Sequence, residues 1–297
     1  MTREIEPPTL GRIRALLRER GLRPRRGLGQ NFLTDPAMLE RIVRAADLAP
    51  GERVLEVGPG PGTLTAQLLR AGARVVAVEI DPEMIRLHQI LLGRPEHLTL
   101  IQADILESRP ELPPRVVRAL DLEEGGAYRL VANLPYQVAP TLLVDLFQNR
   151  PPRQAVVTVQ WEVAERLQAA PGTRAYGPLG VLMQLRSRIE LVRRIPPGAF
   201  WPPPRVESAC LSIVPRDASE LRELPPEPFL SKVVRAVFFA RRKRLSNSLA
   251  LAFRDSLTRE QIDACLDRIH FEKERRGERL SPMEIVELAR LLSTGWA

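Results

Sequence analysis

Residues 54–65 read Val54-Leu55-Glu56-Val57-Gly58-Pro59-Gly60-Pro61-Gly62-Thr63-Leu64-Thr65, and few folds accept such a block. An apolar strand runs into a glycine turn and then into a helix start. Glycines at 58, 60 and 62 let the backbone turn sharply and let a ligand approach with no Cβ in the way. Pro59 and Pro61 have no backbone N–H, which makes the turn a poor cradle for a pyrophosphate. The spacing is also G-x-G-x-G, not the G-x-G-x-x-G of dinucleotide folds. A dinucleotide is therefore disfavoured.

Around this block the chain alternates. Short apolar runs recur at 53–57, 74–78, 98–102 and 130–132, separated by segments of helical spacing, with further strands expected at 154–160, 189–193 and 208–214. Such alternation predicts an α/β fold, a Rossmann-like and mostly parallel sheet wound with helices on both faces. An arginine-rich helix is expected at 10–20. The segment 200–205 reads as a loop and 215–228 as a Pro- and acid-rich linker. Beyond Phe229 the apolar spacing is helical, with Asp255 or Ser256 and Ser281 as helix caps. Two domains follow: residues 1–215, an N-terminal arm and the sheet domain, and residues 216–297, the linker and a small all-helical domain.

The next strands add chemistry at their carboxyl ends. Glu79 closes the second, 21 residues after Gly58, where an acid can accept both hydroxyls of a ribose. Asp104 follows the third, within reach of an adenine amino group; the alternative reading of this carboxylate is a helix cap. A glycine turn, a ribose acid and an adenine acid on successive strand ends describe an adenosine-bearing ligand at the rim of a doubly wound sheet.

The fourth strand ends in Asn133-Leu134-Pro135-Tyr136, which as an isolated tetrapeptide is simply a turn. Its position gives it a second meaning. An exocyclic adenine amine is a poor nucleophile, because its lone pair is delocalised into the ring. The Asn133 side-chain oxygen and a backbone carbonyl near Leu134 or Pro135 could take its two N–H groups and aim a pyramidal nitrogen at a sulfonium methyl. Pro135 stiffens that backbone and Tyr136 offers a face for stacking. Displacement at a sulfonium needs positioning more than a strong base. A base presented in this way must be unpaired or flipped. Phe200 or Trp201 could form a second aromatic wall; the alternative is a rigid proline-rich loop with its aromatics in the core.

Charge points to a polyanionic partner. The 44 basic and 36 acidic residues give a net charge of +8. Eight Arg and three Glu fall within residues 1–29, and residues 228–254 hold seven basic residues and no acid. Across the latter, the basic residues, Arg241, Arg242, Lys243 and Arg244 among them, are interleaved with Val233, Val234, Val237, Phe238, Phe239 and Leu245, as on a helix packed on one side with its basic side free for phosphates. Cys210 and Cys265 read as ordinary buried thiols, and His88, His97 and His270 match no ligand or triad spacing, so no metal site is expected. No apolar run is long enough to span a bilayer and the N-terminus lacks the apolar core of a secretory signal, so a cytoplasmic, soluble protein is expected.

Taken together these residues resemble the ribosomal RNA adenine dimethyltransferase family, and within it the branch acting on small-subunit rRNA. Besides the motifs above, the resemblance rests on Gly29-Gln30-Asn31-Phe32-Leu33, 160–167, 176–179, 200–208, 239–245 and 276–281, and covers about residues 25–292. It implies a class I methyltransferase fold and S-adenosylmethionine as methyl donor. Asn31, Leu33, Gly58, Gly60, Glu79, Asp104 and Asn133 would then contact the donor, and Tyr136 and Phe200 would stack on the target base. It also implies dimethylation at N6 of two adjacent adenines in a hairpin near the 3′ end of small-subunit rRNA, in a pre-ribosomal particle on which the helical domain docks. A monomer is expected. Trp161 and Gly27-Leu28 depart from the family pattern, near the expected RNA or cofactor entry. The Arg-rich segment and 276–281 look less like the sister group that methylates large-subunit rRNA.

Overall fold

The computed structural model describes residues 5–240, 243–254, 257–268 and 276–294. The strands, in chain order, are β1 (Phe32–Leu33), β2 (Arg53–Val57), β3 (Arg74–Glu79), β4 (Leu98–Gln102), β5 (Arg129–Asn133), β6 (Ala155–Gln160), β7 (Ser187–Ile195), β8 (Phe200–Trp201) and β9 (Ser208–Pro215). The helices are α1 (Leu10–Glu19), α2 (Pro36–Ala46), α3 (Thr63–Arg70), α4 (Pro82–Leu92), α5 (Pro114–Ala119), α6 (Ala139–Asn149), α7 (Trp161–Gln168), α8 (Pro178–Arg186), α9 (Ala218–Arg222), α10 (Phe229–Phe239), α11 (Leu245–Ala252), α12 (Arg259–Arg268) and α13 (Pro282–Thr294).

Seven strands form one sheet in the order β4-β3-β2-β5-β6-β9-β7. β2 to β6 pair in parallel, and β9 runs antiparallel to β6 with Thr158 opposite Cys210. This is the Rossmann-like sheet that the alternating pattern predicts. Winding proceeds outward from β2 to β4, then returns to β5 on the other side of β2, which puts the switch point between β2 and β5. Two Asp-Pro pairs start the flanking helices. Asp35 caps α2 by accepting the Met38 N–H at 2.9 Å, and Asp81 caps α4 by accepting the Glu83 N–H at 3.0 Å. Pro at the first helical position supplies the fixed φ and lacks the N–H that would go unbonded there.

One face of the sheet is closed by α2 and α3. Leu39, Ile42, Leu64 and Leu68 pack on Val54, Val75, Ala77 and Val131, the alternate residues of β2, β3 and β5. Full burial of each Leu, Ile or Val among them stabilises by ~1.5–3 kcal/mol. The arginine-rich α1 turns Ile13 and Leu17 onto Phe32, Met84, Leu87 and Leu91.

The chain divides into two compact units: Met1–Ala164 with Ile189–Pro215, and Glu165–Arg188 with Arg216–Ala297. A single cut after residue 215 therefore misses an excursion, because Glu165–Arg188 belongs to the same compact unit as the C-terminal helices. Tyr176 explains this locally. Its ring is fully buried edge-on to Phe238, 5.5 Å between centroids, and its hydroxyl donates to the Leu280 carbonyl at 2.7 Å. The expected linker contains the short helix α9. Ser281 caps α13 as expected, accepting the Glu284 N–H at 3.2 Å while Glu284 accepts the Ser281 N–H at 2.7 Å. Asp255, Ser256, Arg241 and Arg242 lie outside the described residues. Cys210 is buried, but Cys265 is only half-buried. Among the described residues no cluster of His, Cys, Asp and Glu could hold a metal ion, and no helix is long and apolar enough to cross a membrane.

Candidate functional site

The carboxyl ends of β2, β3, β4 and β5 converge on a cavity of about 320 Å3 in the first unit, walled by Asn31, Gly58, Gly60, Glu79, Asp104 and Asn133. Gly58 follows β2, Glu79 ends β3, Asp104 lies just past β4 and Asn133 ends β5. Backbone conformation and close packing favour glycine at both turn positions. Gly58 and Gly60 have φ of +70° and +52°; a Cβ on the first would meet the Pro135 ring at 3.0 Å, and on the second the Phe32 ring at 3.0 Å.

Glu79 joins the turn to the strand end. Its two oxygens accept the Gly60 N–H at 3.2 Å and the Asp81 N–H at 3.0 Å. Burial raises its pKa above the usual carboxylate value, these N–H bonds oppose the rise, and the Asp81 charge adds to it. Behind it stands Glu56, fully buried, accepting the Thr65 hydroxyl at 2.7 Å. Burial pushes Glu56 up to about 8 against the lowering effect of the Thr65 bond, with the Glu79 charge contributing, so it is a neutral acid at neutral pH. His88 is the third buried titratable group under the turn. Its Nδ1 lies 3.2 Å from the Gly60 carbonyl, and Nε2 meets no partner among the described residues. Burial lowers its pKa to about 4, so the imidazole is neutral and its Nδ1–H donates to Gly60. Sequence reading passed over both Glu56 and His88; a carboxylate inside an apolar strand was the one available signal.

Asp104 lines the cavity, and its Oδ1 accepts the Leu106 N–H at 2.9 Å within a turn; no helix starts there, so the helix-cap reading does not hold. Asn31 is tied to Asn133, whose Nδ2 donates to the Asn31 carbonyl at 3.0 Å. The Asn133 Oδ1 accepts the hydroxyl of Thr158, a buried residue that spacing alone could not single out. In the following turn the Pro135 carbonyl already accepts the N–H groups of Val138 and Ala139 at 2.9 and 3.1 Å. No backbone N–H among the described residues is bonded to the Leu134 carbonyl. The Tyr136 hydroxyl sits 2.9 Å from Ser208 Oγ, which fixes the ring, and burial raises its pKa.

Four expected site residues are not on the cavity wall: Leu33, Leu134, Tyr136 and Phe200, with Leu134 1% exposed. Leu33 is 2% exposed, its side chain in the core and its carbonyl accepting the Thr63 hydroxyl at 2.8 Å. Phe200 is 3% exposed, and it lies on a strand rather than in a loop: β8 pairs antiparallel with β1, setting Phe200 opposite Leu33 and turning both side chains into the core beside Ala199 and Ile195. The reading of its aromatic as core is the one that holds, so no stacking face is offered by Phe200. Its neighbour Trp201 faces Phe32 instead, 6.3 Å between ring centroids. Of the basic cluster, Lys243 and Arg244 are exposed directly ahead of α11.

This sheet, with a ligand cavity at its strand ends, belongs to the class of S-adenosylmethionine-dependent methyltransferases. Residues 21–287 match the family described as ribosomal RNA adenine dimethylase, and the chain belongs to that family. It is 37% identical, over 97% of both chains, to the ribosomal RNA small subunit methyltransferase A of Levilactobacillus brevis. Among solved structures it is similar in fold to a dimethyladenosine transferase from Plasmodium falciparum, with a TM-score of 0.73 and 23% identity over 89% of this chain and 98% of that one. The 23S rRNA methyltransferase ErmE gives 0.59 and 24% identity over 89% and 100%.

Proposed function

We propose that this methyltransferase converts two adjacent adenines of a hairpin near the 3′ end of small-subunit rRNA into N6,N6-dimethyladenosine, acting on a pre-ribosomal particle. The observation that carries the reading is the convergence of Glu79, Asp104, the glycine turn and Asn133 on one cavity, each at the end of a different strand. The residues fit an adenosine. Glu79 has lone pairs beyond the two N–H groups it already accepts, enough for ribose hydroxyls, and Asp104 Oδ2 is left for an adenine amino group. At Gly58 and Gly60 a Cβ would press on Pro135 and Phe32, two residues of the cavity wall, at a backbone φ that favours glycine. S-adenosylmethionine, when bound, supplies an electrophilic methyl on a sulfonium.

The chain's own residues then prepare the nucleophile. Asn133 is held at both ends of its amide, by Thr158 on the oxygen and the Asn31 carbonyl on the nitrogen, so its remaining oxygen lone pair has a fixed direction. The second acceptor is a backbone carbonyl of the same turn, at Leu134 or Pro135; Pro135 lines the cavity and its carbonyl also accepts two N–H groups of the next helix, whereas Leu134 is buried. Two acceptors on the two N–H groups of an adenine draw its nitrogen out of conjugation and orient its lone pair. Tyr136, the next residue of the same turn, is anchored through Ser208. After transfer the nitrogen loses one proton; no buried base is needed, because the protonated product amine is strongly acidic and water can accept the proton. The second transfer repeats the geometry with one N–H remaining. Lys243, Arg244 and the neighbouring Arg241 and Arg242 serve as phosphate contacts of the helical unit.

The test is methyl transfer from labelled S-adenosylmethionine to small subunits lacking adenine dimethylation, with large subunits in parallel and the nucleoside identified by mass. Dimethyladenosine in the small subunit is the expected result. Label in the large subunit alone would assign the chain to the other rRNA, and no label in either would remove the catalytic reading.

A further inference from the structure

The helical unit is not the only basic surface. Within twelve residues α1 and the turn after it carry Arg12, Arg14, Arg18, Arg20 and Arg23, all exposed, and none of them lies within ion-pair distance of a carboxylate among the described residues. The helix is firmly seated, with Ile13 and Leu17 at 0% and 2% exposure. That seating excludes one use of a basic amphipathic helix: the apolar face is already spent on Met84, Leu87 and Leu91, so it has nothing to insert into a bilayer. What remains outward on the seated helix is chiefly Arg12, Arg14 and Arg18, with Glu19 its one acid.

Its location connects it to the cavity. Arg14 and Arg18 are one turn apart on the flank of α1, and the Arg14 guanidinium lies 5.2 Å from the Trp201 ring centroid. Trp201 in turn contacts Phe32, which walls the cavity against Gly60. On the other side Arg25 pairs with Asp81 at 3.3 Å, and Gln30 donates to the same carboxylate at 2.8 Å, pinning the segment that leads from α1 into the cavity wall at Gly27–Asn31. A guanidinium stacked on an indole keeps its edge donors free and preoriented, the arrangement that suits a phosphate oxygen.

We propose that Arg14, Arg18 and Arg23 form a phosphate-binding ridge that grips the rRNA strand flanking the target adenine, on the catalytic unit and separate from the basic cluster of the helical unit. The proposal rests on the rRNA reading given above. An adenine extruded into the cavity brings its own backbone to the rim, and the ridge is the positive surface tied to that rim through Trp201 and Phe32. It fixes the strand's path and carries no base readout.

The test is a salt titration of binding to protein-free small-subunit rRNA and to undermethylated small subunits, for wild type and for the Arg14→Gln/Arg18→Gln/Arg23→Gln variant. Three lost phosphate contacts should flatten the slope so that between 50 and 200 mM salt the variant loses affinity about 20–40-fold less than wild type. Affinity for S-adenosylhomocysteine should be unchanged, and the matching triple Lys variant should keep the wild-type slope, which separates charge from misfolding. An unchanged slope on both substrates overturns the ridge. A loss confined to intact subunits, with none on protein-free rRNA, overturns it in favour of a ribosomal protein as partner. Because the titration needs no methyl transfer, failure of the catalytic assignment would register separately, as wild-type protein that transfers no label.

Discussion

Replacing Glu79 by Gln separates two roles that a single carboxylate combines. In the structure one oxygen accepts from Gly60 N–H and the other from Asp81 N–H. An amide has only one oxygen, so its NH2 must face one of these donors and leave a buried N–H unbonded, a loss of about 1–3 kcal/mol. Part of that returns, because the variant no longer buries a charge whose ionisation the surroundings resist. The net change in folding stability should therefore stay within about 2 kcal/mol. Cofactor affinity is counted differently, since the unbonded N–H is present before and after binding. What binding loses is one charge-assisted bond to a ribose hydroxyl, about 1.5–3 kcal/mol, or roughly 10–150-fold in Kd. Calorimetric titration with S-adenosylhomocysteine and urea unfolding of the same samples measure the two quantities. A Kd within threefold of wild type, in a variant of near-native stability, would refute the ribose role.

Other substitutions test the neighbouring groups. Asn133→Ala should lower kcat by about 100–1,000-fold, the scale for removing one transition-state hydrogen-bonding partner, with cofactor Kd changed far less; single-turnover transfer measures it. Thr158→Val keeps the shape of a buried side chain but frees the Asn133 oxygen, so kcat should fall about 5–10-fold while KM for the RNA stays constant, and a fall in KM-controlled binding instead would deny it a positioning role. Glu56, pushed up to about 8 from 4.5, keeps in the native state a proton that the unfolded chain sheds: its contribution is full below about pH 4.5 and is lost as pH rises toward 8, so Glu56→Gln should flatten the decline of the urea midpoint between pH 5 and 8, and parallel curves would contradict this. His88, lowered from 6.5 to about 4, has the opposite sign: its contribution is full above 6.5 and lost as pH falls to 4, a limb that His88→Leu should remove.

Most of the sheet was legible because burial on both faces forces short continuous apolar runs, and these mark strands without any long-range information. β2 and β4 fall on the expected residues, and β3 and β5 extend them only by one residue at an end or at both. The excursion of Glu165–Arg188 into the helical unit was not legible. Its apolar spacing states that a helix has a buried face but not which partner covers that face; the deciding contacts, such as Tyr176 with Phe238 and Leu280, join residues 62 and 104 positions apart. The two-residue pairing of β1 with β8 was hidden for a related reason, since two residues carry no periodicity.

The same distinction runs through the site. Gly58, Glu79, Asp104 and Asn133 could be read because a parallel sheet delivers every strand end to the same rim, so sequence order alone brings them together. Leu33 and Phe200 were misplaced because their motifs lie next to the site in sequence while the β1–β8 bridge turns their side chains the other way. The residues that were missed, Thr158, Glu56 and His88, touch the site from behind. Each acts through another group's atom, on Asn133, on Glu79 or on Gly60, and an apolar strand or helix position gives no sign that its polar neighbour has found a partner. What a strand end presents is thus written locally, whereas what holds it in place depends on how the layers meet. It follows that variants of the supporting residues should alter rate or pH dependence while leaving the recognisable motif, and the fold, unchanged.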